Sequence, residues 1–248
     1  MLRSNQIDLC GRVDFAREAP LLGRDEEFRF ACAGCGNCCR GREDIVLSGF
    51  DLWRIAVRLR LPPRTVARAF CKASIGQVSH LPVLRLAPVR EEGNNCPFLT
   101  ENHCAIHDAE PLVCALYPLA QEITKEGSVS YFLQPTSCGG RVIEAKVEDY
   151  LARYDVPARE AVDVRWAQVC MKLEDRVEEL EAAFEPVFRR RMQQKLWMAL
   201  YYRYELSEEF CLQLEQNLVW LEEELQKLSA MQKRRNAHFE NSIEKIDE

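Results

Sequence analysis

Cys32-Ala33-Gly34-Cys35-Gly36-Asn37-Cys38-Cys39 places four thiols within eight residues, with two glycines between them. Thiolates are strong, soft donors, and two-residue gaps let successive sulfurs turn towards one point, so the stretch has the form of a loop shaped around a metal. Gly34 and Gly36 supply the positive φ angles that so tight a loop needs. Neighbouring side chains point apart, so the Cys38-Cys39 pair is expected not to share one ion. The loop then serves two metal centres, or two atoms of one cluster.

Four further cysteines return to this loop from far along the chain. They stand in Cys96-Pro97-Phe98-Leu99, Cys104-Ala105-Ile106-His107, Pro111-Leu112-Val113-Cys114 with Tyr117-Pro118-Leu119, and Ser137-Cys138-Gly139-Gly140. Eight clustered thiols suffice for two four-sulfur sites. Structural zinc prefers two separated Cys-x2-Cys knuckles. Here one region holds three cysteines at the Cys-x2-Cys-x2-Cys spacing of ferredoxin-type clusters, and Cys96-Pro97 supplies the remote cysteine followed by proline. The spacing leans towards a four-iron, four-sulfide cluster, with zinc as the other reading. His103 and His107 flank Cys104 and are read as outer groups rather than ligands. His80 and His238 have no such neighbours, and the isolated Cys10, Cys71, Cys170 and Cys211 read as small apolar residues.

The rest of the composition narrows the setting. With 248 residues the chain can form one large or two small domains, and 29% charged and 47% hydrophobic residues are ordinary for a soluble protein. A formal net charge of -6 argues against nucleic acid as the main partner. No apolar run is long enough to span a bilayer, and the first residues carry no signal-peptide core, so a cytoplasmic protein is expected. Twelve cysteines in that compartment call for a reason other than disulfides, and metal is the main one.

Periodicity divides the chain into a leader at 1–30, a cysteine-cluster domain at 31–145 and a helical domain at 146–248. The leader carries Leu9, Val13, Phe15, Leu21 and Leu22 between charges, with Phe28 and Phe30 ahead of the metal loop. Ile45-Val46-Leu47 and Leu84-Arg85-Leu86 read as short strands, and residues 91–95 as a turn. Ser48 caps a predicted helix from Phe50 to about Arg60, and Pro62-Pro63 opens a second from Arg64 to about Lys72. The arginines of this hairpin invite a DNA-reading interpretation, but a packing unit is the better one in an acidic chain. Beyond Val147, Trp166, Val169, Leu173, Val177, Leu180 and Phe184 form a helical face that breaks at Pro186. Ser207 to Glu209 marks a helix start before a near-heptad stripe of Phe210, Leu214, Leu218, Leu221, Leu225 and Leu228. Trp197, Tyr201, Tyr202 and Tyr204 read as core. The expected architecture is mainly α: a loop-rich metal domain with short strands and a helical hairpin, followed by a bundle of about three antiparallel helices.

The ordered combination of these motifs, over about residues 30 to 142, resembles the CxxCxxCC cysteine-cluster family, the YkgJ-like zinc- or iron-chelating proteins. The resemblance implies that Cys32, Cys35, Cys38, Cys39, Cys96, Cys104, Cys114 and Cys138 are the metal-binding set. Two departures stand out: the family often has tyrosine at His107 and arginine at Glu110. It also includes proteins resembling flagellin lysine N-methylases, which implies an enzymatic alternative, although no glycine-rich strand-to-helix turn for a methyl donor is present. The function expected is a metalloprotein holding iron-sulfur or zinc centres, its C-terminal helices serving as a surface for a protein partner or self-association, with no membrane or nucleic-acid partner expected. The alternatives are a lysine methylase or redox enzyme using the cluster, and a helical assembly partner with a structural metal.

Overall fold

The computed structural model describes residues 20–31, 35–134 and 141–244. Its strands in chain order are β1 (Leu21–Leu22), β2 (Glu27–Ala31), β3 (Val46–Leu47), β4 (Cys71–Ile75), β5 (Pro82–Leu86), β6 (Leu99–Thr100), β7 (His103–Cys104), β8 (Leu119–Ile123), β9 (Val129–Leu133) and β10 (Arg141–Lys146). The helices are α1 (Gly49–Leu59), α2 (Pro63–Phe70), α3 (Leu112–Leu116), α4 (Val147–Arg153), α5 (Val156–Ala183), α6 (Pro186–Trp197) and α7 (Phe210–Glu244). The strands form four small antiparallel sheets, so the protein is mainly α, as expected.

Ser48 and Asp51 start α1 reciprocally. The Ser48 Oγ accepts from the Asp51 backbone N–H at 3.0 Å, and the Asp51 carboxylate accepts from the Ser48 N–H at 2.9 Å. Leu52, Ile55 and Ala56 then turn inward at the spacing of one helical face. Arg60 ends the helix with φ 55°, and Pro63 opens α2. The expectation that α2 reaches Lys72 is corrected, because the backbone becomes extended at Cys71. Pairing with β5, in the register Cys71↔Leu86 to Ile75↔Pro82, outweighs the local helical pattern. β3 occupies the other edge of β5, where short strands were expected.

The leader's described part is built into the sheets. β1 pairs with β9, β2 with β10, and Phe28 and Phe30 are buried. Leu9, Val13 and Phe15 lie outside the described residues.

The helical half is a three-helix bundle. α5 ends at Ala183 and α6 begins at Pro186, where the break was expected. Glu209 caps α7 by accepting from the Leu212 N–H at 2.7 Å. Ion pairs give the directions. Arg165–Glu215 and Arg176–Glu222 advance together along α5 and α7, whereas Glu185–Arg235 and Lys195–Glu224 run oppositely along α6 and α7. Consecutive helices are therefore antiparallel. Leu214, Leu221 and Leu225 are fully buried, so the near-heptad stripe is the bundle's own core, and Tyr201 and Tyr204 are buried with it. Among the described residues, no helix is long and apolar enough to cross a membrane.

One apolar core runs from β3, α1 and β5 into α5, α6 and α7. A smaller one joins Phe28 and Phe30 to Leu116, Leu119, Tyr131, Tyr150 and Leu151. The first is closed at Gly49. A Cβ there would stand 2.3 Å from the Leu200 carbonyl oxygen and 2.6 Å from the Trp166 ring. Gly49→Ala is expected to destabilise the protein by about 1–3 kcal/mol or more through overpacking. A urea titration checks this; an unchanged midpoint would show that α1 does not seat so closely.

Candidate metal centre

The metal loop is shaped by hydrogen bonds within it and to the rest of the chain. Gly36 has φ 69°, and Asn37–Cys39 make a single 3-10 turn closed by the Cys39 N–H on the Gly36 carbonyl at 3.0 Å. Arg40 clamps it from outside, donating to the Cys35 carbonyl at 2.8 Å and to Asn102 Oδ1 at 2.7 Å. The Cys96 N–H donates to the Cys39 carbonyl at 2.7 Å, which stitches the second cysteine segment to the first. β6 and β7 then turn back through Glu101, φ 56°, and deliver Cys104.

Cys114 is positioned from further away, on the short helix α3. The Leu112 N–H donates to Asp51 Oδ1 at 3.0 Å, which fastens the start of α3 to α1. Arg54, also on α1, donates to the carbonyls of Asp108 at 2.8 Å and Glu110 at 3.3 Å. Behind both lies Arg159 of α5, which donates to Asp51 Oδ1 at 2.6 Å and to both Asp163 oxygens at 2.6 and 2.8 Å. All three side chains are buried. Burial works against the guanidinium's charge, yet the two carboxylates more than offset it and raise the Arg159 pKa.

Around these anchors lies a cavity of about 370 Å³. Cys35, Cys38, Cys39, Cys96, Cys104 and Cys114 line it together with His103, His107 and Glu110. Its remaining wall is mostly apolar and aromatic, with Phe30, Ile45, Phe98, Ile106, Tyr117, Tyr150 and Tyr154, joined by the polar Arg42 and Asn102. The structure thus gathers six of the eight expected thiols from three distant stretches; Cys32 and Cys138 lie outside the described residues. Their described neighbours Ala31 and Arg141 are partners in the β2–β10 ladder.

The side chains of Cys38 and Cys39 do not point apart as expected. A 3-10 turn separates neighbouring side chains by about 120°, not the half-turn of a strand. Their Sγ atoms lie 3.9 Å apart.

Without a cation beside them, these thiols are held in the protonated form, because burial and neighbouring negative charge disfavour the thiolate. Burial pushes Cys104 up to about 11, with Glu110, Cys96 and Cys38 adding to the effect. Burial raises Cys96 and, more strongly, Cys114, while Cys38 is raised first by its contact with Cys39. A cation amid these sulfurs reverses each of those effects, which is the sense in which the donor set fits a metal. Among the described residues, no three Cys, His, Asp or Glu side chains are gathered as ligands of one ion. The six thiols ring the cavity instead of meeting at a point.

Residues 31–139 match the model of the CxxCxxCC family, described as a "putative zinc- or iron-chelating domain". No curated protein and no solved structure matches the chain. The matched segment contains the thiol-bearing stretches of the cavity, while the wall residues Tyr150 and Tyr154 lie beyond its end, on and just after α4. Periodicity alone did not single these two out, although their four-residue spacing places them on one helical face. The imidazoles of His103 and His107 do line the cavity, and His107 Nδ1 meets Glu110 at 3.1 Å; His80 is engaged elsewhere, with Glu181. Of the isolated cysteines, Cys170 is fully buried, Cys71 and Cys211 are partly buried, and Cys10 lies outside the described residues.

Two outcomes are expected. Arg159→Met leaves Asp51 and Asp163 buried without a cation and costs about 3–5 kcal/mol at neutral pH. That loss shrinks on acidification, as the carboxyls take up protons, and urea titrations at two pH values measure both effects. Metal affinity should rise with pH by about one decade per unit for each thiol that must lose its proton, because raised thiol pKa values keep the metal-free site protonated. Competition with a chelator across neutral to alkaline pH measures the slope, and a flat profile would exclude protonated thiols as the ligands.

Proposed function

We propose that Cys32, Cys35, Cys38, Cys39, Cys96, Cys104, Cys114 and Cys138 hold metal as thiolates, in a protein of the cytosol, where thiols stay reduced. The convergence of six of these thiols on one cavity carries the proposal. Cys32 and Cys138 join the set because the strands that flank them, β2 and β10, pair beside Phe30, itself a cavity residue.

Zinc is the first reading. Tetrahedral bonds of about 2.3 Å place two thiolate sulfurs about 3.8 Å apart. The 3.9 Å between the Cys38 and Cys39 sulfurs matches that edge and supports two thiolates on one ion. Bound there, zinc supplies crosslinks among loops that have little core of their own. The chain's residues provide the rest: Arg40 and the Cys96–Cys39 backbone bond orient the loop, and the aromatic wall excludes water. An iron-sulfur cluster is the second reading, supported by the Cys-x2-Cys-x2-Cys spacing and Cys96-Pro97. Under that reading, the alternative of a lysine N-methylase or redox enzyme would draw its chemistry from the cluster that these thiols would hold.

Metal and acid-labile sulfide analysis of anaerobically purified protein separates the readings. Colourless protein with stoichiometric zinc supports the first; broad visible absorption with matching iron and sulfide supports the second. In either case Cys35→Ser and Cys38→Ser should lose metal while Cys170→Ser retains it. Equal loss from all three variants would sink the ligand assignment.

A further inference from the structure

The charge of -6 averages over an uneven surface. From Pro186 to Trp197, α6 carries Arg189, Arg190, Arg191 and Lys195 and no carboxylate. From Ser229 to His238, α7 carries Lys233, Arg234 and Arg235, again with no carboxylate. Antiparallel packing brings the two stretches together. The guanidinium carbons of Arg191 and Arg235 lie 5.9 and 5.4 Å from the centre of one ring, that of Phe188. Lys195 pairs with Glu224 and Arg235 with Glu185, and Arg189 donates to the Phe184 carbonyl at 2.6 Å. Arg190, Arg191, Lys233 and Arg234 are exposed and have no carboxylate partner among the described residues.

Like charges held within a screening length repel one another, and a polyanion offsets several of them at once while releasing counterions. The chemistry of the face selects among polyanions. These two stretches expose no large apolar side chain except Met231, so the face lacks both the anchors of a membrane-binding helix and the apolar centre of a protein interface. No Phe, Tyr or Trp ring is exposed on it, so the bases of a single strand find no broad stacking platform. Most of its cations are guanidinium forks, which match phosphate oxygens two at a time. They stand in two rows, on the neighbouring helices α6 and α7.

We propose that this face of α6 and α7 binds the phosphate backbone of duplex DNA, independently of base sequence. The reading does not depend on which metal the cysteine domain holds.

Fluorescence anisotropy of a short labelled DNA duplex, with the full-length metal-loaded protein at about 0.15 M salt, tests it. Binding to the duplex is expected, with a log–log salt slope of about -4 for four phosphate contacts. Arg190→Glu combined with Arg234→Glu should weaken it about tenfold or more and flatten the slope by about 2. Arg68→Glu combined with Lys72→Glu makes the same charge change on an exposed surface elsewhere and should alter binding by less than about twofold. Thermal melting verifies that each variant is folded; should the glutamate pair melt early, Arg190→Gln with Arg234→Gln supplies the comparison. Failure of the wild type to bind, or equal loss in the patch and control variants, overturns the proposal. So does tighter binding to single strands, duplex RNA or anionic phospholipid vesicles.

Discussion

The buried ion triad of Arg159 with Asp51 and Asp163 is the interaction on which the arrangement of the site depends. Asp51 acts on three fronts: it closes the first turn of α1 with Ser48, fastens the start of α3 through the Leu112 N–H, and accepts from Arg159 of α5. A carboxylate in an apolar interior is costly unless its lone pairs are filled and its charge is matched. Here both conditions are met by groups from three separate helices, so none of the three can shift alone. Because α3 carries Cys114 and α1 holds the carbonyls of residues 108 and 110, the position of the thiols is inherited from this triad.

The cavity sits where the two apolar cores meet. The larger core contributes Ile45, Leu86, Phe98 and Ile106 to its lining, and the smaller contributes Phe30 and Tyr150. The cysteine-bearing segment is thus not an appendage on a helical bundle. Its first helix shares a core with α5, and α4 completes the wall of its cavity.

Much of this was legible in the sequence wherever the signal was local. Three- and four-residue apolar spacing gave α1 and the C-terminal leucine stripe, Ser48 and Pro186 marked element ends, and cysteine clustering marked the thiols that line the cavity. What stayed hidden was tertiary. Arg159 meets Asp51 across 108 residues, and no periodicity announces such a partnership. Cys71 follows a helical pattern but obeys its strand partner Leu86. The Cys38 and Cys39 sulfurs draw near because of the backbone turn beneath them, which residue spacing alone does not reveal. The basic face was masked by the acidic average of the chain, since its two halves lie on different helices.

The pairing of β2 with β10 joins residues 31 and 141, so the cysteine-bearing segment leaves and re-enters the rest of the protein at one place. In polymer terms it is a closed ring, and drawing the ends of a flexible segment of that length together costs about 4 kcal/mol of chain entropy before any contact within it is made. Contacts that form early inside the ring, such as the Cys96–Cys39 backbone bond, shorten the loop still to be closed and lower that cost. A metal held by thiols on both sides of that bond, as proposed above, would shorten the loop further, so metal binding and closure of the ring would stabilise one another.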